Sequence, residues 1–360
     1  MIAGKDPRLL VRSQEPFNAE PPREVLRHSF ITPVPLFFVR NHGAVPAVDP
    51  GAYRVSVGGL VRRATSYRPD ELRARFGDVT VVATLQCAGN RRQELMAVRP
   101  IEGEIPWDAQ AIGTAEWTGV RLRDVLEDAG IAAPAAHVAF LGLDAIEHDG
   151  RTEKFGGSIP LAKALGAEIL VAHAMNGRPL TPIHGSPLRV VVPGYIGARS
   201  VKWLEAITVR ADPSENYFQA HSYKLFPPEV TPDIVDWATG VMLGEVGINA
   251  VICRPLDGET VRAGALTCMG YALSGRHEVA RVELSIDEGA TWTPAALKGP
   301  SERWAWRFWE TSLALPPGHH ALVVRATDAA GGSQPENPAL IWNFKGYMNA
   351  ARHRIGVRAA

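Results

Sequence analysis

The stretch Thr84-Leu85-Gln86-Cys87-Ala88-Gly89-Asn90-Arg91-Arg92 is the part of the sequence on which the interpretation of the whole chain depends. Before it, apolar residues alternate with others from Val79 to Leu85, which is the period of a strand with one buried face. The segment 88–90 predicts a turn directly after this strand, because glycine and asparagine tolerate a positive φ. The sequence thus predicts a cysteine at a strand end, followed by a turn and two arginines.

Cys87 has more than one chemical interpretation. A thiol beside a turn and two fixed cations lies where the thiolate is favoured over the thiol. A thiolate is a soft metal ligand or a nucleophile. A buried structural cysteine with two surface arginines beside it fits the same local pattern. The residues alone leave these interpretations open.

The composition excludes several classes of protein. The 360 residues allow two domains of ordinary size, and 38 Lys+Arg balance 38 Asp+Glu, so the whole molecule has no net attraction for nucleic acid or membranes. Three widely spaced cysteines exclude a disulfide scaffold, and no Cys-x-x-Cys-His motif occurs for a c-type haem. We therefore expect no nucleic-acid partner, no membrane partner and no haem.

The ends of the chain bear on its compartment. The segment 1–18 is polar and interrupted by proline, without the apolar core of a signal peptide. No window approaches the length of an apolar membrane span. We expect a soluble cytoplasmic protein, or a periplasmic one if an export signal has been removed.

The first part of the chain alternates strands and short helices irregularly. Pro69 opens a helix with acidic residues at its positive end, and Gly77 ends it. From Leu122, apolar residues recur with helical spacing up to a stop at Gly130. No Gly-x-Gly-x-x-Gly and no Walker motif appears, which removes the usual nucleotide sites. These features predict an α+β fold.

Three polar or aromatic side chains outside the central stretch are candidates for a site. Arg40 follows the apolar triplet 37–39; a charge so placed is drawn toward the interior and needs an anionic partner, although a solvated loop charge is commoner. Trp107 fits a core residue as well as a pocket. Tyr223 offers a phenol that donates a hydrogen bond or relays a proton near an oxyanion, with an interfacial aromatic as the alternative.

The segment Gly197-Ala198-Arg199-Ser200-Val201-Lys202 is a second dense polar patch. Gly197 permits a close approach of the backbone to a ligand. Arg199, Ser200 and Lys202 can donate hydrogen bonds to phosphate oxygens. An exposed basic turn is the alternative interpretation of this segment.

From about Gly244 the pattern changes to short alternating strands and turns. This pattern favours an immunoglobulin-like β-sandwich. The sequence therefore divides into residues 1–243 and residues 244–360. Cys253 and Cys268 are expected on neighbouring strands as free core thiols, because disulfides are rare in a reducing compartment.

The central stretch resembles the signature of the sulfite oxidase family of molybdenum enzymes, most closely the haem-free form of plants and many bacteria. Matching blocks follow in order over nearly the whole chain: Phe37-Phe38-Val39-Arg40-Asn41-His42-Gly43, Trp107 to Leu126, His184 to Leu204, Tyr223-Lys224-Leu225-Phe226-Pro227-Pro228 and Ile341-Trp342-Asn343-Phe344. The resemblance implies a mixed α/β molybdopterin-binding domain, followed by an immunoglobulin-like dimerisation domain with a C-terminal tail.

The resemblance also implies an activity and a set of site residues. The activity is oxidation of sulfite to sulfate by oxygen-atom transfer at a molybdenum-molybdopterin cofactor, with the electrons passed to an external acceptor such as cytochrome c or oxygen. Cys87 would be the metal ligand. The implied cofactor-binding residues are Phe38, Arg40, His42, Cys87, His184, Arg189, Arg199, Ser200 and Lys202. The implied catalytic residues are Arg40, Arg92, Trp107, Tyr223 and Lys345.

Two departures from the family pattern affect the substrate. Lys345 stands where the family usually has arginine, and a lysine keeps the charge but loses the bidentate geometry. Ser222 precedes Tyr223 where many relatives carry aspartate. The alternatives are a sulfane dehydrogenase of sulfur oxidation, and a nitrate reductase-like molybdenum domain, in which Tyr223 would be replaced. A non-enzymatic β-sandwich interaction module accounts only for the second half of the chain.

Overall fold

The computed structural model describes residues 4–148 and 150–360. Within these ranges the α-helices are α1 (Pro69–Phe76), α2 (Arg92–Val98), α3 (Leu122–Ala129) and α4 (Leu161–Ala164). Shorter 3-10 segments are Arg23–Arg27, Val34–Leu36, Pro182–His184, Gly197–Arg199 and Pro338–Ile341, and Phe218–Ser222 is a π-helical turn. In the part of the chain described, no helix is long and apolar enough to cross a bilayer.

The strands up to residue 242 are β1 (Leu10–Ser13), β2 (Asn18–Glu20), β3 (Val55–Gly59), β4 (Thr65–Tyr67), β5 (Val79–Gln86), β6 (Ile112–Arg121), β7 (His137–His148), β8 (Arg151–Pro160), β9 (Leu170–Met175), β10 (Arg178–Pro179), β11 (Arg189–Val191), β12 (Leu204–Arg210), β13 (Lys224–Leu225) and β14 (Val241–Met242). One sheet has the order β10-β9-β6-β5, with β11 also paired to β9, and another has the order β4-β3-β12-β7-β8. The pairing of β12 with β3 is parallel, while its pairing with β7 is antiparallel. These mixed sheets with short helices confirm the α+β prediction.

The two predicted helices form where their end signals place them. Helix α1 begins at Pro69 and ends before Gly77, whose φ of 72° suits a glycine. Helix α3 begins at Leu122 and ends before Gly130, at φ 73°. Its apolar residues are buried against the sheets, so the helical period decided both the element and its face.

The turn after β5 includes residues 88–90, as predicted, but its left-handed residue lies elsewhere. The residue with a left-handed backbone is Arg91, at φ 67°, rather than Gly89 or Asn90. Gly89 is required for another reason: a Cβ there would lie 2.6 Å from the guanidinium carbon of Arg92. The turn therefore needs glycine for a close approach, while the unusual φ falls on the residue that starts helix α2.

The remaining strands are β15 (Asn249–Arg254), β16 (Thr260–Val261), β17 (Gly264–Leu273), β18 (Val279–Ser285), β19 (Thr293–Lys298), β20 (Arg307–Leu315), β21 (Gly318–Asp328) and β22 (His353–Ala359). Their order is β15-β17-β20-β19-β18-β21-β22-β16. The two halves of this path share one apolar core, as expected of the predicted sandwich. Cys253 on β15 and Cys268 on β17 are free and buried on paired strands, as the sequence predicts.

The second part of the chain also supports the central stretch. The Trp306 amide donates to the Thr84 hydroxyl at 2.8 Å, and the Thr84 amide donates to the Trp304 carbonyl at 2.9 Å. The Tyr271 hydroxyl donates to the Ala109 carbonyl at 2.8 Å. The strand that leads to Cys87 is therefore fixed by contacts with residues far along the sequence.

Candidate active site

A cavity lies where β5 ends. The predicted residues on its wall are Phe38, Arg40, His42, Cys87, His184, Arg189, Ser200, Lys202 and Tyr223. The wall also includes residues to which the sequence analysis gave no role: Phe37, Asn41, Leu85, Ala88, Asp144, Phe155 and Ala198. Four predicted site residues are not on this wall: Arg92, Trp107, Arg199 and Lys345.

Cys87 is buried, and its Sγ accepts a hydrogen bond from the Gly89 amide at 3.4 Å. Burial raises the pKa of the Cys87 thiol, and the nearby charges of Arg40 and Arg92 offset part of that rise. The prediction that the local arginines favour the thiolate is therefore wrong for the chain by itself. Arg91 pairs with Glu94 at 2.6 Å and donates to the Ala351 carbonyl at 2.7 Å. A coordinated metal ion deprotonates such a thiol outright.

Buried cations dominate the cavity wall. Arg189 donates to the His184 and Ser200 carbonyls at 3.1 and 3.0 Å, and burial lowers the pKa of its guanidinium to about 9. Burial, together with the charge of Arg189, holds the pKa of Lys202 well below its usual value. Among the described residues on the wall, Asp144 is the one carboxylate, and burial raises its pKa to about 6. The buried positive charge is therefore poorly compensated, which costs free energy unless an anion is present.

The two histidines of the cavity are uncharged. Burial and neighbouring cations hold the pKa values of His42 and His184 well below the usual range. His42 Nε2 shares a hydrogen bond of 2.7 Å with the Tyr223 hydroxyl. His184 Nε2 lies 3.0 Å from Nζ of Lys5, which also donates to the Phe37 carbonyl at 2.6 Å. Neutral imidazoles beside cations can accept or donate single hydrogen bonds to a polar ligand.

The segment 197–202 splits into two roles. Lys202 is on the wall and donates to the Ile183 carbonyl at 3.1 Å. The Ser200 hydroxyl accepts from the Val192 amide at 3.0 Å. Arg199 lies behind the wall, where Nε and Nη2 donate to the Leu243 carbonyl at 3.1 and 2.9 Å. Its Nη1 is buried and has no partner among the described residues, so Arg199 adds to the uncompensated charge around the cavity.

Beside the cavity lies a second charged group, which we call the anion cluster: Arg92, Glu104, Lys345 and Tyr347. Arg92 Nη2 lies 3.2 Å from Glu104 Oε2, and Lys345 Nζ contacts Glu104 Oε1. The family resemblance implied roles for Arg92 and Lys345, and the structure adds a carboxylate that pairs with both of them. Glu104 was missed because a single acid in a charged loop carries no distinguishing pattern.

Tyr347 connects the anion cluster to the cavity. Its ring stacks on Tyr223 with centroids 5.2 Å apart, and the Arg92 guanidinium carbon lies 5.1 Å from its ring centroid. Burial raises the pKa of Tyr223 to about 12, so its phenol keeps the proton at neutral pH. Trp107 is fully buried, and its Nε1 has no partner in the structure. Tyr347 thus packs on Tyr223 of the cavity wall, and Trp107 lies behind that wall in the same apolar core as Cys87.

The residues of the cavity fit an anionic, phosphorylated cofactor that brings its own metal. Cys87 offers a sulfur ligand. Arg189, Lys202 and Arg199 supply buried positive charge that an anionic group would compensate. Phe37, Phe38 and Phe155 provide apolar surface for a ring system. Across the described residues, no three His, Cys, Asp or Glu side chains are grouped as a metal site.

Comparisons with known proteins agree with this geometry. Residues 42–218 match the family described as "Oxidoreductase molybdopterin binding domain", and residues 241–360 match "Mo-co oxidoreductase dimerisation domain". Sulfite oxidase of Gallus gallus is 46% identical over 98% of this chain and 79% of that protein. Sulfite oxidase of Arabidopsis thaliana is 39% identical over 98% of this chain and 95% of that protein.

A solved structure gives the same fold. The sulfane dehydrogenase SoxCD from Paracoccus pantotrophus superposes with a TM-score of 0.81 and 24% identity, over 98% of this chain and 89% of that chain. At that identity the similarity concerns the fold alone. The identities to the two sulfite oxidases, each covered over most of its length, decide the family. This chain belongs to the sulfite oxidase family of molybdopterin-dependent oxidoreductases.

Proposed function

We propose that this chain catalyses molybdenum-dependent oxidation of sulfite to sulfate and passes the electrons to an external acceptor. The observation that carries the proposal is the meeting of the Cys87 thiol and poorly compensated buried cations in one cavity, with further cations directly beside it. The similarity to sulfite oxidases over nearly the full chain supports the same activity.

The cofactor would be held by the cavity wall. Cys87 would bind the metal, and Arg189 and Lys202 would neutralise the phosphate, which explains charges that the protein leaves unpaired. The remaining proposed contacts are those of Phe38, Arg40, His42, His184, Arg199 and Ser200. When bound, the molybdenum cofactor supplies oxygen-atom transfer and accepts two electrons. The protein's own contribution is to exclude water, orient the groups and supply positive charge.

The substrate would bind between the cavity and the anion cluster. Arg40 lies on the cavity wall and Arg92 lies just behind it, so an oxyanion near Cys87 is within the field of both cations. The Tyr223 phenol is protonated, and it can donate its one hydrogen bond to an oxygen of the anion when His42 Nε2–H is the donor in the bond between the two side chains. Neither Trp107 nor Lys345 lines the cavity wall; Trp107 would act from behind it, and Lys345 would act from within the anion cluster.

The assembly and the compartment are further proposals. Residues 244–360 would form a dimerisation domain after a catalytic domain of residues 1–243, which gives a symmetric homodimer with one site in each subunit. Light scattering at working concentration should then report twice the mass of one chain; the mass of one chain would contradict this assembly. We further infer a cytoplasmic enzyme without haem that uses cytochrome c or oxygen as acceptor, and an absorption spectrum tests the haem directly.

One experiment tests the activity itself. Purified protein is analysed for molybdenum and then assayed for sulfite-dependent reduction of cytochrome c and of ferricyanide, and for oxygen uptake. About one molybdenum per chain with sulfite-dependent turnover is the expected result. Turnover only with thiol-bound sulfur would favour the sulfane dehydrogenase alternative, and turnover with nitrate and a reduced donor would favour the nitrate reductase-like one.

A further inference from the structure

We propose that Glu104 is an internal competitor of the substrate anion, whose carboxylate occupies Arg92 and Lys345 and so sets how tightly the site binds oxyanions. The proposal deepens the proposed function and rests on it for the identity of the substrate. It assigns a specificity role to a residue for which the sequence carried no signal.

The contacts of Glu104 match those of a bound oxyanion. One carboxylate oxygen lies 3.2 Å from Nη2 of Arg92, and the other contacts Nζ of Lys345. A planar carboxylate thus bridges two cations, as two oxygens of a small tetrahedral dianion would. The bridge is largely withdrawn from solvent, since the side chains of Arg92 and Glu104 are 3% and 16% exposed. Solvent screening therefore weakens it little.

Arg92 is held by more contacts than the carboxylate with which it pairs. Arg92 donates to the carbonyls of Lys345, Gly346 and Ile105 at 3.0, 3.2 and 2.8 Å. Gly346 packs on the Arg92 side chain so closely that a Cβ would lie 2.6 Å from its Cγ. These contacts leave Arg92 little room to move.

Glu104 lies in the loop between α2 and β6, next to the exposed residues 102 and 103. Lys345 offers this carboxylate a single ammonium group, whereas an arginine would offer two parallel N–H donors. The contact between Glu104 and Lys345 is therefore not bidentate. Glu104 is therefore the partner that can leave, and an arriving dianion would take its place. The need to displace Glu104 lowers the binding affinity of every oxyanion that contacts these cations, including the product sulfate.

The test measures binding of inorganic sulfate, a dianion that does not react, to the loaded enzyme by calorimetry at constant ionic strength. Glu104→Gln removes the competing charge and keeps the size of the side chain. We expect sulfate to bind about tenfold more tightly, equivalent to about 1.4 kcal/mol. Glu102→Gln is the matched control, because it removes one negative charge from an exposed position in the same loop, and it should change the affinity less than about twofold.

Equal or weaker sulfate binding by Glu104→Gln overturns the proposal. If that variant fails to fold, Glu104→Asp gives the answer, since a carboxylate shortened by one methylene cannot bridge both cations and sulfate should bind a few-fold more tightly. Unchanged affinity in Glu104→Asp also overturns it. Because sulfate binding needs no turnover, this result is separate from the sulfite assay: an enzyme inactive toward sulfite can still show the competition, and an active one can lack it.

Discussion

The cavity and the anion cluster both gather positive charge, but they treat it in opposite ways. In the cavity, Arg189 donates to backbone carbonyls, and burial alone lowers its pKa to about 9. In the cluster, Glu104 contacts both Arg92 and Lys345. An anionic cofactor that binds once and stays bound compensates the unpaired cations of the cavity permanently. A substrate anion leaves after each turnover. The cations that bind it are therefore more stable if a protein carboxylate pairs with them while the site is empty.

The largest effect is expected from substitution of Cys87, whose thiol lies close to both the cavity cations and the anion cluster. Cys87→Ser replaces a soft ligand by a hard one, so we expect a folded protein whose sulfite-dependent turnover is lower by orders of magnitude. Circular dichroism and steady-state kinetics measure the two properties. Cys253→Ser, a change at a buried thiol far along the chain, should keep nearly full turnover. Full activity of Cys87→Ser would contradict the role given to this residue.

Removing the cofactor tests whether the cavity depends on a resident anion. Binding at about 1,000 times the dissociation constant stabilises a protein by about 4 kcal/mol, which for a domain of this size is on the order of 10 °C in Tm. We expect the loaded protein to melt at least that far above the cofactor-free protein in scanning calorimetry. Saturating sulfate should shift Tm by only a few degrees. Equal shifts for both ligands would remove the distinction between the two regions.

The substitution Arg189→Met tests how much one cavity cation contributes to cofactor binding. The variant removes a buried cation that lacks a carboxylate partner, so the cofactor-free protein should lose little stability while the gain on cofactor binding shrinks. Molybdenum content per chain should fall in parallel. A variant that keeps its molybdenum and the full Tm difference would show that Arg189 does not meet the cofactor.

Local sequence patterns predicted the elements whose causes are themselves local. The end signals around α1 and α3 and the alternation in β5 correspond to observed elements, because capping and burial of one face act within a few residues. The strand order of the sheets was not predictable in this way. It depends on pairings between distant segments, such as the parallel pairing of β12 with β3.

The residues of the candidate site likewise divide into those with a local sequence signal and those whose role depends on contacts with distant segments. Cys87 and Lys202 lie in segments dense enough in special residues to be recognised, Arg189 follows from the family resemblance, and the structure brings all three to one cavity. Glu104 and Lys5 carry no such signal, because their roles arise only from contacts with Lys345 and His184, far away in sequence. The compensation of charge is thus a tertiary property, and a sequence read segment by segment counts cations without seeing their partners.

A smaller effect is expected from the hydrogen-bond donor between the two regions. Tyr223→Phe removes one neutral donor worth about 0.5–1.5 kcal/mol, so kcat/KM for sulfite should fall roughly three- to tenfold. Burial raises the pKa of Tyr223 to about 12, so the phenol stays protonated below that pH. The loss should therefore be the same at every pH from about 6 to 10. A loss that disappears within this range would mean that Tyr223 ionises there and relays a proton.

The smallest effect is expected from substitution of Lys345. In the wild-type chain, Lys345→Ala removes a cation but also loosens the grip on Glu104, so the two changes partly cancel. We expect sulfate affinity, measured by calorimetry, to fall only two- to threefold. In the Glu104→Gln background no competitor remains, and the same substitution should cost about tenfold, because the whole contribution of the ammonium is then lost. The difference between these two losses is the coupling between Glu104 and Lys345. If Lys345→Ala has the same effect in both backgrounds, the carboxylate does not compete for this cation, and the cluster is a fixed ion pair rather than an exchangeable one.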